Sequence, residues 1–370
     1  MMVVPHGTKI NSILITAPSW VGDAVMATPA FRCVRENFPK AKISLLLRPF
    51  VKGVLEGAPW FDEWIEFDQK EKHKQPGKYL ALIRKLRKEQ FDLGIILPNS
   101  LSSALVAWLA GIKRRVGYNR DARSWLLTNG VERSKEKGKF QPTYMADYYL
   151  RLCASTGCEI RSRELELFTS RENLEKVDKL FSKYRVSRNK PIFLINPGAS
   201  FGSSKGWTVE GFARTAELLH KELDCHVLLA TAPEERGIAT QIEKAAGGKI
   251  LNLTPEHVTL DLLKALIKKA SMLITVDSGP RHIAVAFKKP VVVLMGPTDP
   301  RYTHTSQEVG RVIRERVDCA PCHLKECPKD HRCMEWIKPE KVVEACKELM
   351  VEVASTQPPS KAANVATSRR

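Results

Sequence analysis

Short apolar runs alternate with amphipathic stretches along most of the chain. Ile10–Ala17, Ile43–Leu47 and Asp92–Leu97 are rich in Ile, Val and Leu and read as strands buried on both faces. Between them, apolar residues fall at helical spacing. Phe31, Val34 and Phe38 share one face, and Tyr79–Lys88 and Ser102–Ala110 are patterned alike. The alternation restarts at Ile192–Asn196 and continues through Val227–Ala230, Leu273–Val276 and Val291–Met295. Helices are expected in its gaps, at Val209–Glu222, Glu235–Ala246 and Leu260–Lys269. Strands alternating with helices predict parallel sheets covered on both faces. The pattern occurs twice, around a charged stretch, Thr169–Lys190, with little sheet character. We therefore expect an α/β protein of two Rossmann-like domains, residues 1–168 and 169–353. Helix Leu174–Tyr184 would open the second and Pro339–Val353 would end it. Residues 354–370 are rich in Ser, Thr, Pro and Ala with a basic end and are expected to be a disordered tail.

A chain of 370 residues, 43% hydrophobic, can bury two such cores. No run of about 18 apolar residues occurs, so no membrane span is predicted. The first residues lack a charged region followed by an apolar one, which argues against a secretory signal. The protein is expected in the cytosol. Lys and Arg number 59 against 41 Asp and Glu, a formal charge of +18. Such an excess favours an anionic partner: nucleic acid, a membrane surface or a phosphorylated substrate. A generally basic protein with no such partner is the plain alternative.

Ligands of open α/β sheets bind at the carboxyl ends of the strands, so chemistry is sought there. The first such loop is Ala17-Pro18-Ser19-Trp20-Val21-Gly22-Asp23. Gly22 permits a tight turn, and Asp23 falls at a helix start, where it could be a cap or a functional carboxylate. Pro29 lies inside the expected helix and should kink or delay it. The second loop, Asn196–Trp207, holds Gly198, Ser200, Gly202 and Lys205. Small residues let the backbone approach an anion, and Lys205 adds charge. It lacks the spacing of a Walker loop. The third loop is Asp277-Ser278-Gly279-Pro280-Arg281-His282. Ser278 or Gly279 could cap a helix beginning at Pro280, its free N–H groups facing a diphosphate. Gly296-Pro297-Thr298 closes the same rim. No Asp-x-Asp pair stands at a strand end, so no cofactor is expected to be required for catalysis.

These residues together resemble the lipopolysaccharide heptosyltransferases, glycosyltransferase family 9. The resemblance is carried by Pro18-Ser19-Trp20-Val21-Gly22-Asp23 and Asn196-Pro197-Gly198-Ala199 with Gly202, Lys205 and Trp207. Asp277-Ser278-Gly279 with His282 and Ala284, then Gly296-Pro297-Thr298, extend it. Pro98–Leu105, Ala110-Gly111-Ile112 and Arg115-Val116-Gly117-Tyr118 look more like type II members of the family than type I. The resemblance covers about residues 10–350 and implies a GT-B fold, an ADP-heptose donor and an inverting reaction. It implies an anionic lipid A–core acceptor of the heptosyl-Kdo type, met at the cytoplasmic face of the inner membrane. Asp23 is then the general base. Ser200, Lys205, Asp277, Ser278, Gly279 and His282 line the donor site, and Glu235 (or its neighbour Glu234) meets the ribose. Pro280 and Arg281 differ from the small or apolar residues of the family pattern. A transferase of the same family using another nucleotide sugar, or adding a later core sugar, is the nearest alternative.

The charge then acquires a use. Arg114, Arg115, Arg120 and Arg123 are expected to meet acceptor phosphates. Lys70, Lys72, Lys74 and Lys78, with Arg84, Lys85, Arg87 and Lys88, form either a solvated face or a rest on anionic lipid. A dinucleotide-dependent dehydrogenase would share the fold but is disfavoured, because no Gly-x-Gly-x-x-Gly follows the first strand. Two phosphate-loop halves disfavour a nucleic-acid partner. Nine cysteines without a signal argue against a disulfide framework. Four of them, Cys319, Cys322, Cys327 and Cys333, are clustered and could close a structural zinc site or stand as reduced thiols in a loop.

Overall fold

The structure is a computed structural model and describes residues 9–68, 72–198 and 201–356. Six strands build the first sheet: β1 (Ser12–Thr16), β2 (Lys42–Leu47), β3 (Glu63–Glu66), β4 (Leu93–Ile96), β5 (Arg114–Tyr118) and β6 (Asn129–Val131). A small hairpin follows, β7 (Lys135–Glu136) with β8 (Lys139–Phe140). The second sheet holds β9 (Ile192–Asn196), β10 (His226–Leu229), β11 (Leu251–Asn252), β12 (Met272–Val276), β13 (Val291–Leu294) and β14 (Gly310–Ile313). Their orders are β3-β2-β1-β4-β5-β6 and β11-β10-β9-β12-β13-β14, and the pairings within both are parallel. Each order reverses beside its first strand, leaving a crevice between β1 and β4 and between β9 and β12.

The apolar runs are strands because both faces are covered. Ile13 and Ile15 join one core that also takes in Leu194, Leu228 and Val293 of the second sheet. Leu14, one residue out of phase, points to a separate core under helices 76–88 and 101–109. Phe193 and Ile195 of β9 do the same on the far side of the second sheet. Alternation of period two thus divides each sheet between an outer core and a shared one. The helix after β1 breaks as Pro29 requires: Val21–Met26 ends at Ala27, and Thr28–Asn37 restarts with Pro29 in its first turn. Residues 156–170 hold no helix or strand and lead to helix Arg171–Lys183. The expected tail begins too early. Helix Pro339–Thr356 carries Ala354, Ser355 and Thr356, and residues 357–370 lie outside the described residues. No described helix is long and apolar enough to cross a membrane.

The two halves touch through glycines. A Cβ added to Gly22 would lie 2.9 Å from Cδ2 of His282, and one added to Gly279 would lie 2.7 Å from Cγ1 of Val21. Helices Val21–Met26 and Gly279–Ala286 therefore approach as closely as backbone allows, and this sets the width of the crevice. We predict that Gly22→Ala, which overpacks this contact, costs about 1–3 kcal/mol and lowers the melting temperature by a few degrees. Gly77→Ala, on a helix with nothing within 4 Å of the new Cβ, should be neutral or stabilising. Equal melting temperatures for the two variants would contradict the contact.

Candidate active site

One cavity of about 440 Å³ lies where the crevices of the two sheets meet. Trp20, Gly22 and Asp23 line it from the first half; Gly198, Lys205, Glu235, Asp277, Ser278, Gly279 and His282 line it from the second. These loops and helix starts, distant in sequence, thus converge because every strand of a sheet runs the same way and delivers its carboxyl end to one edge. Ser200 lies outside the described residues.

Asp23 occupies the first turn of helix Val21–Met26, and no side chain caps that helix. Its Oδ1 instead accepts a hydrogen bond from the Tyr149 hydroxyl at 2.9 Å. Burial raises the Asp23 pKa above the ordinary carboxylate value; the Tyr149 bond and the Lys205 charge oppose this without cancelling it. A carboxylate held this way is a better proton acceptor than one in water. Tyr149 stands on helix Met145–Ser155 and was not identified from sequence. It is 126 positions from Asp23, and no local pattern links them.

Across the cavity, Asp277 is 2% exposed and fully employed. Its Oδ2 accepts from Lys205 Nζ at 2.9 Å and from Thr298 Oγ1 at 2.7 Å, and its Oδ1 accepts from Arg281 Nη1 at 2.8 Å. Desolvation alone would raise its pKa, but the two cations and the hydroxyl hold it well below the usual carboxylate range. Lys205 also donates to the Asp277 carbonyl at 2.7 Å. Two of its three N–H groups are so committed, leaving one for a ligand. Arg281 is fully buried and closes the network on Glu308 Oε2 at 2.9 and 3.0 Å. It does not line the cavity. Of the two residues that departed from the family pattern, Arg281 therefore belongs to a structural ion pair behind the site, and Pro280 opens the helix at the cavity wall.

His282 is 3% exposed, and its Nδ1 has no hydrogen-bond partner. Burial, with Arg281 nearby, pushes its pKa down to about 3. It is neutral at physiological pH. Helix Gly279–Ala286 starts at the cavity wall with Ser278 extended before it and Pro280 in its first turn, so its positive end faces the space. Glu235 packs its carboxylate against Gly198, where an added Cβ would lie 2.1 Å from Oε2. The loop carrying Lys205 is braced from outside: Ser204 N and Oγ donate to the carbonyls of Lys325 and Leu324 at 3.0 and 2.6 Å, and His331 Nε2 lies 2.7 Å from the Ser204 carbonyl.

That brace is the cysteine-rich segment. Cys333 sits on helix Arg332–Glu335 with its thiol packed on Gly296, while Cys319, Cys322 and Cys327 lie partly exposed on the preceding loop. Among the described residues no three His, Cys, Asp or Glu side chains are grouped to hold a metal ion.

The acceptor arginines also need correction. Arg114 and Arg115 open β5 and so stand at the amino edge of the sheet, away from the cavity. Arg115 donates to the carbonyls of Leu126, at 2.6 Å, and Ile112. Arg123 is wholly buried and donates to the carbonyls of Tyr118, Pro98 and Ser100 and to Ser103 Oγ. It fixes the Pro98–Ser103 loop and is closed to any ligand. Only Arg120, after β5, stands on the ligand-binding edge.

A carboxylate from one doubly wound half, facing a lysine and a helix N-terminus from the other across a closed crevice, defines a two-domain glycosyltransferase of the GT-B class. Residues 79–332 match the family described as "Glycosyltransferase family 9 (heptosyltransferase)". The chain is 27% identical over 348 residues to lipopolysaccharide heptosyltransferase 2 of Escherichia coli K12, covering 92% of this chain and 99% of that one. It is 30% identical over 346 residues to lipooligosaccharide heptosyltransferase 2 of Campylobacter jejuni, covering 91% and 98%. The solved E. coli ADP-heptose lps heptosyltransferase II superposes with a TM-score of 0.75 at 27% identity, over 93% of this chain and 99% of that one. The chain belongs to glycosyltransferase family 9, the heptosyltransferase family.

The Asp277 network makes a prediction. Asp277→Asn leaves Arg281 and Lys205 without their shared counter-charge in a buried place. The cost should be about 3–5 kcal/mol, and ADP affinity should fall as Lys205 loses its anchor. Calorimetric melting and ADP titration measure both; a stable Asp277→Asn with unchanged ADP affinity would contradict this account.

Proposed function

We propose that this chain is an inverting transferase that moves heptose from ADP-heptose to the inner core of lipopolysaccharide, on an acceptor of the heptosyl-Kdo–lipid A type. The observation that carries the reading is the opposition of Asp23 and Lys205 in one cavity, each brought by a different half. The full-length similarity to heptosyltransferase 2 proteins supplies donor and acceptor. Arg281, which differs from the family pattern, is buried and does not line the cavity.

In this reading the diphosphate of the donor lies against Lys205 and the start of helix Gly279–Ala286, and Glu235 meets the ribose. The acceptor hydroxyl attacks the anomeric carbon from the Asp23 side. Its proton passes to the Asp23 oxygen that Tyr149 leaves free, while the bond from the anomeric carbon to the diphosphate breaks. Lys205 and the helix dipole stabilise the charge growing on ADP. Neutral His282 can hydrogen-bond but adds no charge that would hold the product. Contact with an anionic membrane surface is supported by the exposed Lys74, Lys78, Arg84 and Lys88. Lys85 is drawn aside by Glu63 at 2.8 Å, Arg87 donates to the Leu109 carbonyl at 2.6 Å, and Lys70 lies outside the described residues. Arg114 opens β5, at the edge of the sheet opposite its carboxyl ends.

Asp23→Asn keeps the shape and removes the basic oxygen. It should lower kcat roughly 10²–10⁴-fold, with ADP affinity and melting temperature nearly unchanged; retention of more than about a tenth of wild-type kcat would place the base elsewhere. The pH profile has a fixed sign. Deprotonated Asp23 is the active form and burial favours the neutral form, so kcat should rise with pH through a midpoint above the ordinary carboxylate value. A profile that falls with pH over that range would contradict the assignment.

A further inference from the structure

The cavity has an apolar end that the phosphate chemistry leaves unused. Phe50 from the first half and Leu260 and Leu263 from the second line it there. Strand order determines which part of a nucleotide reaches them. In the second sheet β12, β9, β10 and β11 lie side by side in that order. Asp277 follows β12, Lys205 follows β9, Glu235 follows β10, and helix Leu260–Lys269 comes after β11. A nucleotide is itself a chain of diphosphate, ribose and base. With its diphosphate at Lys205 and its ribose at Glu235, the base continues in the same direction and arrives at the start of helix Leu260–Lys269.

Phe50 is placed unusually for a large apolar residue. It is 49% exposed and belongs to none of the three cores. Among the described residues no other ring and no cation packs on it. Its position is nevertheless fixed. Phe50 stands in the first turn of helix Pro49–Leu55, which crosses to the second half and packs on helix Leu260–Lys269. Gly53 lies one turn beyond Phe50 on the same side of its helix, and a Cβ added there would lie 3.6 Å from Leu260 Cβ. Just past the helix end, the Glu56 carbonyl accepts a hydrogen bond at 3.1 Å from Nζ of Lys264, which is almost wholly buried. Leu260 and Lys264 are four positions apart and so share one side of their own helix. The two helices are tied at two points, and the Phe50 ring is held at the cavity wall with Leu260 and Leu263 without being covered by them.

We propose that Phe50 stacks on the base of the bound nucleotide, with Leu260 and Leu263 completing an apolar subsite shared by the two halves. The inference rests on the transferase reading above for the donor being a nucleotide sugar. A base presents a flat π-face, and an aromatic ring holds it without hydrogen bonds. Aliphatic side chains close the rest of such a subsite against water. The phosphate and ribose contacts all come from the second half, so Phe50 is what makes donor affinity depend on the first. It also holds the leaving ADP at both ends, at the diphosphate by Lys205 and at the base by the ring. A donor fixed in this way keeps its anomeric carbon turned toward Asp23.

The test titrates ADP and inorganic pyrophosphate separately into wild-type protein, Phe50→Ala and Phe50→Tyr. Phe50→Ala should bind ADP about tenfold more weakly or worse, with its response to pyrophosphate and its melting temperature as in wild type. Phe50→Tyr, which keeps the ring, should bind ADP nearly as wild type does. In steady-state assays Phe50→Ala should raise the donor's KM while the acceptor's KM and the pH profile of kcat stay unchanged. Unchanged ADP affinity in Phe50→Ala would overturn the proposal. So would an equal loss of ADP and pyrophosphate binding, which would place the effect at the phosphates, or an equal loss in Phe50→Tyr, which would show that stacking is not the interaction. Failure of the wild type to transfer heptose, with the ADP difference between wild type and Phe50→Ala intact, would count against the transferase reading alone.

Discussion

The Asp277 carboxylate is the constraint on which the site depends. It ends a strand buried on both faces, so its position is set by the sheet and not by a loop. From there it holds Lys205 on one side and Arg281 on the other, with Thr298 satisfying a further lone pair. Two cations meet two carboxylates, Asp277 and Glu308, with Arg281 and both carboxylates buried. A buried pair of this kind adds little net stability, but losing one member is expensive. Its use here is geometric. Lys205 rides on a short loop that by itself would wander, and the network fixes its ammonium with one donor still unspent. The segment 324–331 clamps the same loop from behind, so the cysteine-rich region braces the loop that carries Lys205.

Opposed to that fixed cation is a carboxylate whose environment pulls two ways. Burial favours protonated Asp23; Tyr149 and Lys205 favour the ionised form. Burial wins, so the carboxyl's pKa stays above the ordinary carboxylate value, which strengthens it as a proton acceptor. The two halves of this arrangement are useless apart. They are kept in register by the glycine contacts of Gly22 and Gly279, where any side chain would widen the crevice. Backbone approach thus takes the part that loop closure plays in more open enzymes.

Much of this was legible in the chain. Strands buried on both faces announce themselves by continuous apolar runs, and β9 is found at its expected limits, Ile192–Asn196. The peripheral strands did not: β3 is Glu-Trp-Ile-Glu and β5 begins Arg-Arg, and such strands gain their place from neighbours and not from their own pattern. Gly22, Asp23, Lys205, Asp277 and His282 stood out because strand-end loops concentrate function. The arginines did not sort themselves, since sequence shows charge but not burial. Arg123 was read as a ligand contact and is a buried tie between carbonyls. Tyr149 was invisible for the same reason. Its role exists only once helix Met145–Ser155 packs against the helix that bears Asp23.

The account's central claim is a single displacement, with the base on one face of the sugar and the leaving diphosphate held on the other. It is tested most directly by the anomeric configuration of the product, read by NMR from ADP-heptose and a defined inner-core acceptor. The opposed placement of Asp23 and Lys205 predicts a product whose anomeric configuration is inverted relative to the donor. A product that retains the donor's configuration would contradict it, because retention needs either a second displacement or attack from the side that Lys205 occupies.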